Sequence, residues 1–399
     1  MGTSLTLFRV GGTDVKVHWS FLLILAYGAI SAPPGVNPLF GALWGVLLIL
    51  LLFVCVTLHE FGHAVAAKYF GIEVPTITLL PIGGLARLER MPEKPYQELI
   101  IAVAGPAVNF IIAALLLPII LLSSDMAAGS DGTAVNVGNM LRDARSPGML
   151  NLIVNLVFTN LLLGIFNMLP AFPMDGGRIL RALLAMFIPF LRATQIAVFV
   201  GRIMAALLAL GGILGQGGIL LLLIAFFIYV GGGAEREAVE SRAALRGIPA
   251  RRALNVQTTR LYTSERLSRA VDLITNSYQA DYPIFDLSGQ FVGVLTRSGL
   301  VRGLREEGPE LRVVDVMISA EGVPSCAPET DLADVWDIMG EAGCRVVSVQ
   351  DNSTFLGLIT ADDIAELIQV MGARRKGTGW QQRAAGVPDP PQPKEHTDA

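Results

Sequence analysis

The residues best suited to chemistry in this sequence lie at His59–His63, a His-Glu-Phe-Gly-His pentapeptide at the end of a long apolar run over residues 41–57. In a helix, the two histidines lie one turn apart on the same face, which is the spacing that a single zinc ion requires. Glu60 between them is placed to accept a proton from a water molecule at that metal. The pentapeptide also occurs by chance in unrelated proteins, but two of the chain's four histidines are found here. We therefore predict a hydrolytic site with one Zn²⁺ per chain inside a membrane helix.

A catalytic zinc site needs a third protein ligand and an open position for water. His396 lies in a polar tail and His18 borders a predicted hairpin, so neither is an obvious ligand. Among the few carboxylates of the apolar part, Asp175 comes just after an apolar segment, in a stretch rich in proline and glycine. Irregular backbone at membrane depth is tolerated only where it lines a cavity. Spacing leaves two interpretations of Asp175 open, a zinc ligand or a turn residue that caps a helix before Gly176.

The elements that must position these residues are indicated by an uneven composition. Charged residues make up 16% of the chain and apolar residues 52%, whereas a soluble domain carries roughly 25% charged residues. The deficit is confined to residues 17–230. We therefore predict an α-helical polytopic membrane domain over 1–230, a linker over 231–247, an α+β soluble domain over 248–371 and a disordered tail over 372–399. The net charge of −4 gives no sign of a nucleic-acid partner.

Six apolar segments, the first of them short, predict about six transmembrane helices in a lipid bilayer. They cover residues 19–31, 39–70, 97–122, 149–169, 193–214 and 219–230. Basic residues concentrate on one side of these segments, at positions 9, 16, 68, 87, 90, 94, 178, 181, 192 and 236–252, with Arg142 and Arg145 on the other. This asymmetry predicts a multi-pass cell-membrane protein whose two termini and soluble domain are cytoplasmic.

The orientation also predicts the depth of the candidate ligands. The second and fourth segments both run inward. His59 lies about 20 residues, or roughly 30 Å of helix, from the start of its segment, and Asp175 lies just past the inner end of its own. The histidines and the aspartate are therefore expected at a similar depth near the cytoplasmic leaflet, which favours the ligand interpretation of Asp175.

Two stretches of the membrane domain predict small β-hairpins, over residues 5–18 around Gly11-Gly12 and over residues 76–89 around Gly83-Gly84. Open strand edges cannot face lipid. The two hairpins are therefore expected to pair with each other, to lie at the membrane interface or to bind something.

Three motifs in order make residues 1–230 closely similar to the site-2 proteases, a family of intramembrane zinc metalloproteases. They are His59–His63, Gly105–Asn109 and Asn167–Gly177. The resemblance implies His59, His63 and Asp175 as zinc ligands, Glu60 as the catalytic acid and base, and Asn167 as a polar residue that holds the substrate or the oxyanion.

The resemblance also implies a function and a class of partner. The family cleaves transmembrane segments of other proteins near the cytoplasmic face, and bacterial members often release transcription regulators by degrading an anti-sigma factor or a pro-transcription factor. A substrate helix must unwind before its peptide bonds can react, and a hairpin edge would hold the unwound strand by β-addition. The strand predicted over Thr76–Leu80 is our candidate for that edge.

The soluble part contains an internal repeat, because residues 265–300 and 330–364 share a helix-like stretch, an apolar strand and a Gly-x-Leu/Val-Thr motif. This pattern resembles a pair of CBS domains over residues 248–371, a family that often binds adenine nucleotides. In the second copy Thr360 and Asp363 match the residues that contact the nucleotide, whereas the first copy has Thr296 but Gly299 in place of the aspartate. A dimerisation or docking module without a nucleotide, for instance in a homodimer, stays open.

Two further function classes stay open at the level of the sequence. CBS pairs also occur on transporters and channels, but transport predicts polar or charged residues at the midpoints of several segments. Here such residues concentrate at one end of two segments. A non-catalytic membrane chaperone on the same scaffold is the other alternative, and the intact pentapeptide together with Asp175 argues against it.

Overall fold

The computed structural model describes residues 4–31, 36–81, 83–87, 94–127, 147–215, 218–255, 258–276, 279–352 and 354–371. The tail predicted to be disordered lies outside these residues, as does most of the loop that carries Arg142 and Arg145. The chain divides into two compact units, Met1–Val239 and Glu240–Ala399. The domain boundaries proposed from the sequence stay a prediction.

Five helices within the part of the chain that is described are long and apolar enough to cross a membrane. Their 19 to 33 residues correspond to roughly 28–50 Å of helix at 1.5 Å per residue, and a hydrocarbon core is about 30 Å thick. These helices are α2 (Pro38–Tyr69), α3 (Pro95–Ala127), α4 (Met149–Asn167), α6 (Phe190–Leu214) and α7 (Gly218–Leu245).

The first of the six predicted segments forms only a short helix, α1 (Phe21–Ile30). Its 10 residues give about 15 Å of helix, too little to cross a bilayer. Helix α1 runs antiparallel to α2, because the rings of Phe21 and Phe53 are 4.5 Å apart and the backbones of Gly28 and Gly45 touch. A Cβ on either glycine would overlap the other backbone, so the glycines permit this close pairing.

Both predicted hairpins are present and pair with each other, although Gly83 and Gly84, predicted as the turn of the second hairpin, lie in its second strand and pair with Leu80 and Leu79. Strands β1 (Ser4–Val10) and β2 (Thr13–His18) form the first, and β3 (Thr76–Leu80) and β4 (Gly83–Arg87) form the second. Because β2 pairs in parallel with β3, the four strands form one sheet in the order β1-β2-β3-β4. The proposal that Thr76–Leu80 offers an open edge is therefore wrong, since this strand is paired on both sides and the edge strand of its hairpin is β4.

An irregular segment follows α4 and leads into α5 (Asp175–Ala185), a short amphipathic helix. The segment is buried at Ala171, Phe172 and Met174, and its Phe172-Pro173 peptide bond is cis. A Cβ at Gly176 would collide with the carbonyl oxygen of Leu169, so the first turn of α5 sits directly on the segment before it. Helix α3 packs against α2, α4 and α5, which places it at the centre of this unit.

The second unit has the α+β architecture that its repeat predicts. The first copy contains β5 (Leu261–Tyr262), α8 (Leu267–Asn276), β6 (Tyr282–Phe285), β7 (Phe291–Leu295), α9 (Arg297–Glu306) and β8 (Ile318–Ser319). The second contains β9 (Ser325–Cys326), α10 (Leu332–Ala342), β10 (Val346–Asp351), β11 (Thr354–Thr360) and a helix α11 over residues 361–371. In both copies a short strand pairs in parallel with the next strand, which pairs antiparallel with the one after it. The repeat is thus confirmed as two matching supersecondary units.

Candidate metal centre

Three side chains that bind metals converge where α2 meets the start of α5. His59 and His63 lie on one face of α2, and Asp175 is the first residue of α5. The Nε2 atoms of the histidines are 3.1 Å apart, and Oδ2 of Asp175 lies 3.2 Å from each of them. All three side chains are buried. The structure thus brings together the residues that the sequence singled out.

The hydrogen bonds of the two imidazoles determine which nitrogen atoms face the centre. His59 Nδ1 lies 2.6 Å from Oδ1 of Asn109, and His63 Nδ1 lies 2.7 Å from the carbonyl oxygen of Ile101. A carbonyl oxygen only accepts, so each Nδ1 carries the proton and donates it. Each Nε2 then presents a lone pair to the centre, the tautomer that metal-ligating histidines adopt.

The donor atoms fit a zinc ion. Oδ2 of Asp175 is buried and has no hydrogen-bond partner among the described residues, so, with both imidazoles neutral, two nitrogen lone pairs and a carboxylate oxygen face one another. Such an arrangement is repulsive unless a cation lies at its centre. Tetrahedral zinc with bonds of 2.0–2.2 Å places its ligand atoms roughly 3.3 Å apart, close to the observed distances of 3.1–3.2 Å. Two imidazoles and one carboxylate also form a ligand set of hydrolytic zinc enzymes.

Glu60 lies beside this cluster, within electrostatic reach of His59, His63 and Asp175. Its side chain is buried against β4, because a Cβ built on Gly84 would lie 2.5 Å from Cγ of Glu60. Only a residue without a side chain lets the strand approach so closely. The edge strand β4 therefore passes directly alongside the carboxylate that the sequence assigned to proton transfer.

A polar chain, formed by the buried side chains of Asn109, Asn160 and Cys55, supports His59 through its Nδ1 atom. Asn109 Nδ2 donates to Oδ1 of Asn160 at 2.9 Å, and Asn160 Nδ2 lies 3.2 Å from Sγ of Cys55. Cys55 lies one turn before His59 on α2. The polar chain therefore runs from α2 through α3 and α4 and ends on α2 again. Both asparagines are fully buried. This network fixes the orientation of the Asn109 amide, and its oxygen therefore points at His59.

Two glycines allow the helices to approach the cluster. A Cβ on Gly105 would lie 2.2 Å from Nε2 of His63, and one on Gly62 would lie 2.7 Å from the carbonyl oxygen of Ala104. Helix α3 can therefore pack against the histidine face of α2. The motif Gly105–Asn109, recognised in the sequence without a role, thus supplies both a close approach and the partner of His59. Asn160 is not among the residues predicted from the sequence, where its signal is an amide in an otherwise apolar helix.

The other predicted residues occupy less distinctive positions. Asn167, at the end of α4, donates from Nδ2 to the carbonyl oxygen of Leu163 at 3.0 Å, so its role toward substrate or oxyanion stays a prediction. In the second unit Oδ2 of Asp363 accepts from the backbone N–H and the hydroxyl of Thr360, at 2.8 and 2.6 Å. The N–H of Asp363 donates back to that hydroxyl at 3.1 Å. These reciprocal bonds form a capping box at the start of α11.

Comparison with known proteins gives matches over most of the chain. Residues 47–210 match the model of peptidase family M50, and residues 313–370 match the CBS domain. The zinc metalloprotease MJ0392 of Methanocaldococcus jannaschii is 32% identical over 371 residues, which cover 93% of this chain and 98% of that protein. The Rip3 protein of Mycobacterium tuberculosis is 29% identical over 400 aligned positions, covering 93% and 94%. A solved site-2 protease from Methanocaldococcus jannaschii is 37% identical, covering 58% of this chain and 95% of that one, with a TM-score of 0.41.

Proposed function

We propose that this chain, which belongs to peptidase family M50, cleaves transmembrane segments of other membrane proteins near the cytoplasmic face. Membership makes it a multi-pass membrane zinc metalloprotease of the site-2 type. The observation that carries the proposal is the buried triangle of donor atoms from His59, His63 and Asp175, beside Glu60, on a helix long enough to span a bilayer. We propose these three residues as the zinc ligands.

The residues around the triangle have different roles in the proposed peptide hydrolysis. Zinc, when bound, supplies Lewis-acid chemistry that lowers the pKa of water and polarises the scissile carbonyl. Glu60 accepts a proton from the attacking water and passes it to the leaving amine. Asn109 and the carbonyl of Ile101 keep both imidazoles in the tautomer whose Nε2 faces the centre.

The edge strand β4 is the element best placed to hold an unwound substrate segment. Its residues Gly83–Arg87 pair with β3 on one side and pass Glu60 at Gly84. A substrate backbone added to the other side would extend the sheet, and its main-chain hydrogen bonds would compensate those lost when the substrate helix unwinds. This proposal replaces the one for Thr76–Leu80.

The location of the cut depends on the topology, which we propose from the basic residues: both termini and the CBS region on the cytoplasmic side. The soluble unit would then lie on the side where the substrate is cut and where cytoplasmic nucleotides are available. Reporter enzymes fused after Ala234 and within residues 125–145 are expected to give cytoplasmic and external signals, respectively. Exchanged signals would contradict the orientation.

We also propose that the CBS unit modulates proteolysis by sensing an adenine nucleotide at the half-site of Thr360 and Asp363. A ligand changes activity only if it prefers one state of the protein. Calorimetry of the full chain with AMP, ADP and ATP is the test, and Asp363→Ala is expected to weaken binding without changing the zinc content. No heat at millimolar nucleotide would leave the unit as a docking or dimerisation module.

The proteolytic function can be tested even while the natural substrate is unidentified. Membranes of cells expressing the wild-type chain or Glu60→Gln are compared by mass spectrometry of new protein termini. We expect termini inside predicted transmembrane segments, toward their cytoplasmic ends, in the wild-type sample alone. Identical sets of intramembrane termini in the two samples would contradict the proposed function.

A further inference from the structure

A single buried guanidinium connects five elements of the membrane unit. Arg181 of α5 donates from Nε to Oε1 of Glu98 on α3 at 2.9 Å, and its Nη atoms bind Glu98 and Glu235 of α7. The rings of Phe172, in the segment before α5, and Phe190, at the start of α6, lie 4.9 and 4.8 Å from its Cζ. Only 2% of Arg181 is exposed. A buried arginine with all its faces occupied fixes the elements around it, because any displacement leaves a charge unpaired.

The element that Arg181 holds also carries Asp175. Helix α5 has 11 residues, and an isolated helix shorter than about 12–15 residues is marginal in water. Its position therefore depends on its partners. Asp175 lies six residues before Arg181, or roughly 9 Å along the helix axis. A rigid helix held at Arg181 and seated at Gly176 against Leu169 places the Asp175 carboxylate relative to α3 and the histidines.

One of the two carboxylates that hold Arg181 lies on the helix that leaves the membrane unit. Glu235 lies on α7, which continues without interruption past the unit boundary at Val239 to Leu245. Seven residues after Glu235, Arg242 of the same helix pairs with Asp337 of α10 within the second unit. Residues 231–245 of the predicted linker are therefore part of one helix that carries an ion pair in each unit.

We propose that Arg181 is a positioning residue for the metal centre and that its pair with Glu235 makes the position of Asp175 depend on α7. The inference rests on the proposed function, because it assumes that Asp175 ligates zinc. It adds a specific route by which the helix leading to the CBS unit acts on the metal centre. We call the contacts of Arg181 with Glu98 and Glu235 the clamp. Glu98 holds α5 against α3 and is 8% exposed, whereas the side chain of Glu235 is 21% exposed. We therefore assign to the Glu235 contact the part of the clamp that changes when α7 moves.

The test compares Arg181→Gln and Glu235→Gln with two controls in the full-length chain. Arg192→Gln removes an exposed arginine from α6, and Glu237→Gln removes an exposed carboxylate from α7 two residues after Glu235. For each variant, zinc affinity is measured by competition with a chelator, and the absorption spectrum of the cobalt-loaded chain reports the ligand geometry. Arg181→Gln is expected to lose roughly 10- to 100-fold in zinc affinity, the range for residues that orient metal ligands.

We expect Glu235→Gln to show a smaller loss of zinc affinity and a cobalt spectrum shifted in the same direction, with kcat lowered more than KM is changed. The double variant is expected to be no worse than Arg181→Gln, since the two side chains act through one contact. If Arg181→Gln does not fold, the comparison of zinc affinity and cobalt spectrum between Glu235→Gln and Glu237→Gln tests the inference by itself. The inference would be overturned if Arg181→Gln had a lower melting temperature but unchanged zinc affinity and an unchanged cobalt spectrum. It would also be overturned if Glu235→Gln and Glu237→Gln had the same zinc affinity and cobalt spectrum. A wild-type chain that holds no zinc would overturn the proposed function and the inference with it.

Discussion

Asp175 in the first unit and Asp363 in the second occupy similar positions at a helix start, but their carboxylates have different partners. Each lies in the first turn of a helix, and each was assigned a ligand from its sequence motif. The carboxylate of Asp363 is engaged by the backbone N–H and hydroxyl of Thr360, so its own helix uses it. Asp175 has no such role, because α5 begins after Met174 without a side-chain cap and Oδ2 of Asp175 points at two imidazoles.

The comparison shows how a ligand differs from a cap. A carboxylate at a helix start is by default a favourable group, since it accepts from unpaired N–H groups and interacts with the helix dipole. It becomes available for a metal when a buried oxygen is left without these partners. The interpretation of Asp175 as a mere helix-capping residue is therefore disfavoured by the structure, whereas Thr360 and Asp363 have a sufficient structural role even without a nucleotide.

The largest effect is expected from Glu60→Gln, which tests metal binding and proton transfer separately. The variant retains all three donor atoms but loses the base, so it is expected to hold zinc and to lose about 10²- to 10⁴-fold in proteolysis. Metal analysis and a cleavage assay on the same preparation check both halves. Full activity of Glu60→Gln would show that the cluster is not arranged around this carboxylate.

The next effect concerns the polar chain behind His59. Asn160→Leu removes the partner that orients the Asn109 amide, and we expect a loss of about 10-fold in zinc affinity, at the lower end of the range for outer-sphere partners. Asn155→Leu is the matched control, because Asn155 lies on the same helix and donates to the carbonyl oxygen of Asn151. Equal zinc affinity of the two variants in chelator competition would remove the polar chain as a support of the metal centre.

A smaller effect is expected at the capping box. Asp363→Ala removes the acceptor at the start of α11, which costs about 1 kcal/mol for a typical cap, or roughly fivefold faster amide exchange in that helix. Asp362→Ala is the control, since Asp362 is exposed and pairs with the exposed side chain of Arg345. Hydrogen–deuterium exchange of the peptide over residues 361–371 measures the difference. Indistinguishable exchange in the two variants would contradict the assignment of Asp363 as a cap.

The smallest effect is expected from modification of Cys326, which lies far along the chain from the metal residues. Burial raises the pKa of its thiol to about 11, so little thiolate is present at neutral pH and the rate of alkylation should rise about tenfold per pH unit below that pKa. Mass spectrometry after iodoacetamide treatment is expected to find Cys344, which is less buried, labelled first. Faster labelling of Cys326 at pH 7 would contradict its burial.

The sequence predicted the parts of the site that local spacing encodes. Two histidines one turn apart and an aspartate after a helix-breaking stretch could be recognised because each motif is short. The partners of His59 could not, because Asn109 and Asn160 lie 50 and 101 positions further along the chain and meet it only when three helices pack. The clamp on Arg181 was missed for the same reason, since its carboxylates lie 83 positions before it and 54 after it.

The fold shows the same division between local and non-local information. Apolar length predicted five of the helices, and the Gly11-Gly12 pair correctly predicted the turn of the first hairpin, whereas Gly83 and Gly84 lie in a strand of the second. Pairing of the two hairpins with each other was one of three stated possibilities, and the parallel pairing of β2 with β3 could not be predicted, because strands separated by two helices carry no local signal of their register. The first segment, already short in the sequence, forms a helix of 10 residues, which is too short to span a bilayer.

The most direct test of the metal centre is the zinc content of three full-length chains after an identical chelator wash. They are the wild type, Asp175→Asn and Asp363→Asn, two substitutions that remove the same charge from the same kind of position. We predict about one zinc per chain in the wild type and in Asp363→Asn, and little or none in Asp175→Asn, because a neutral amide is a poor zinc ligand. A full zinc complement in Asp175→Asn would contradict the assignment of Asp175 as the third ligand and with it the proposed metal centre.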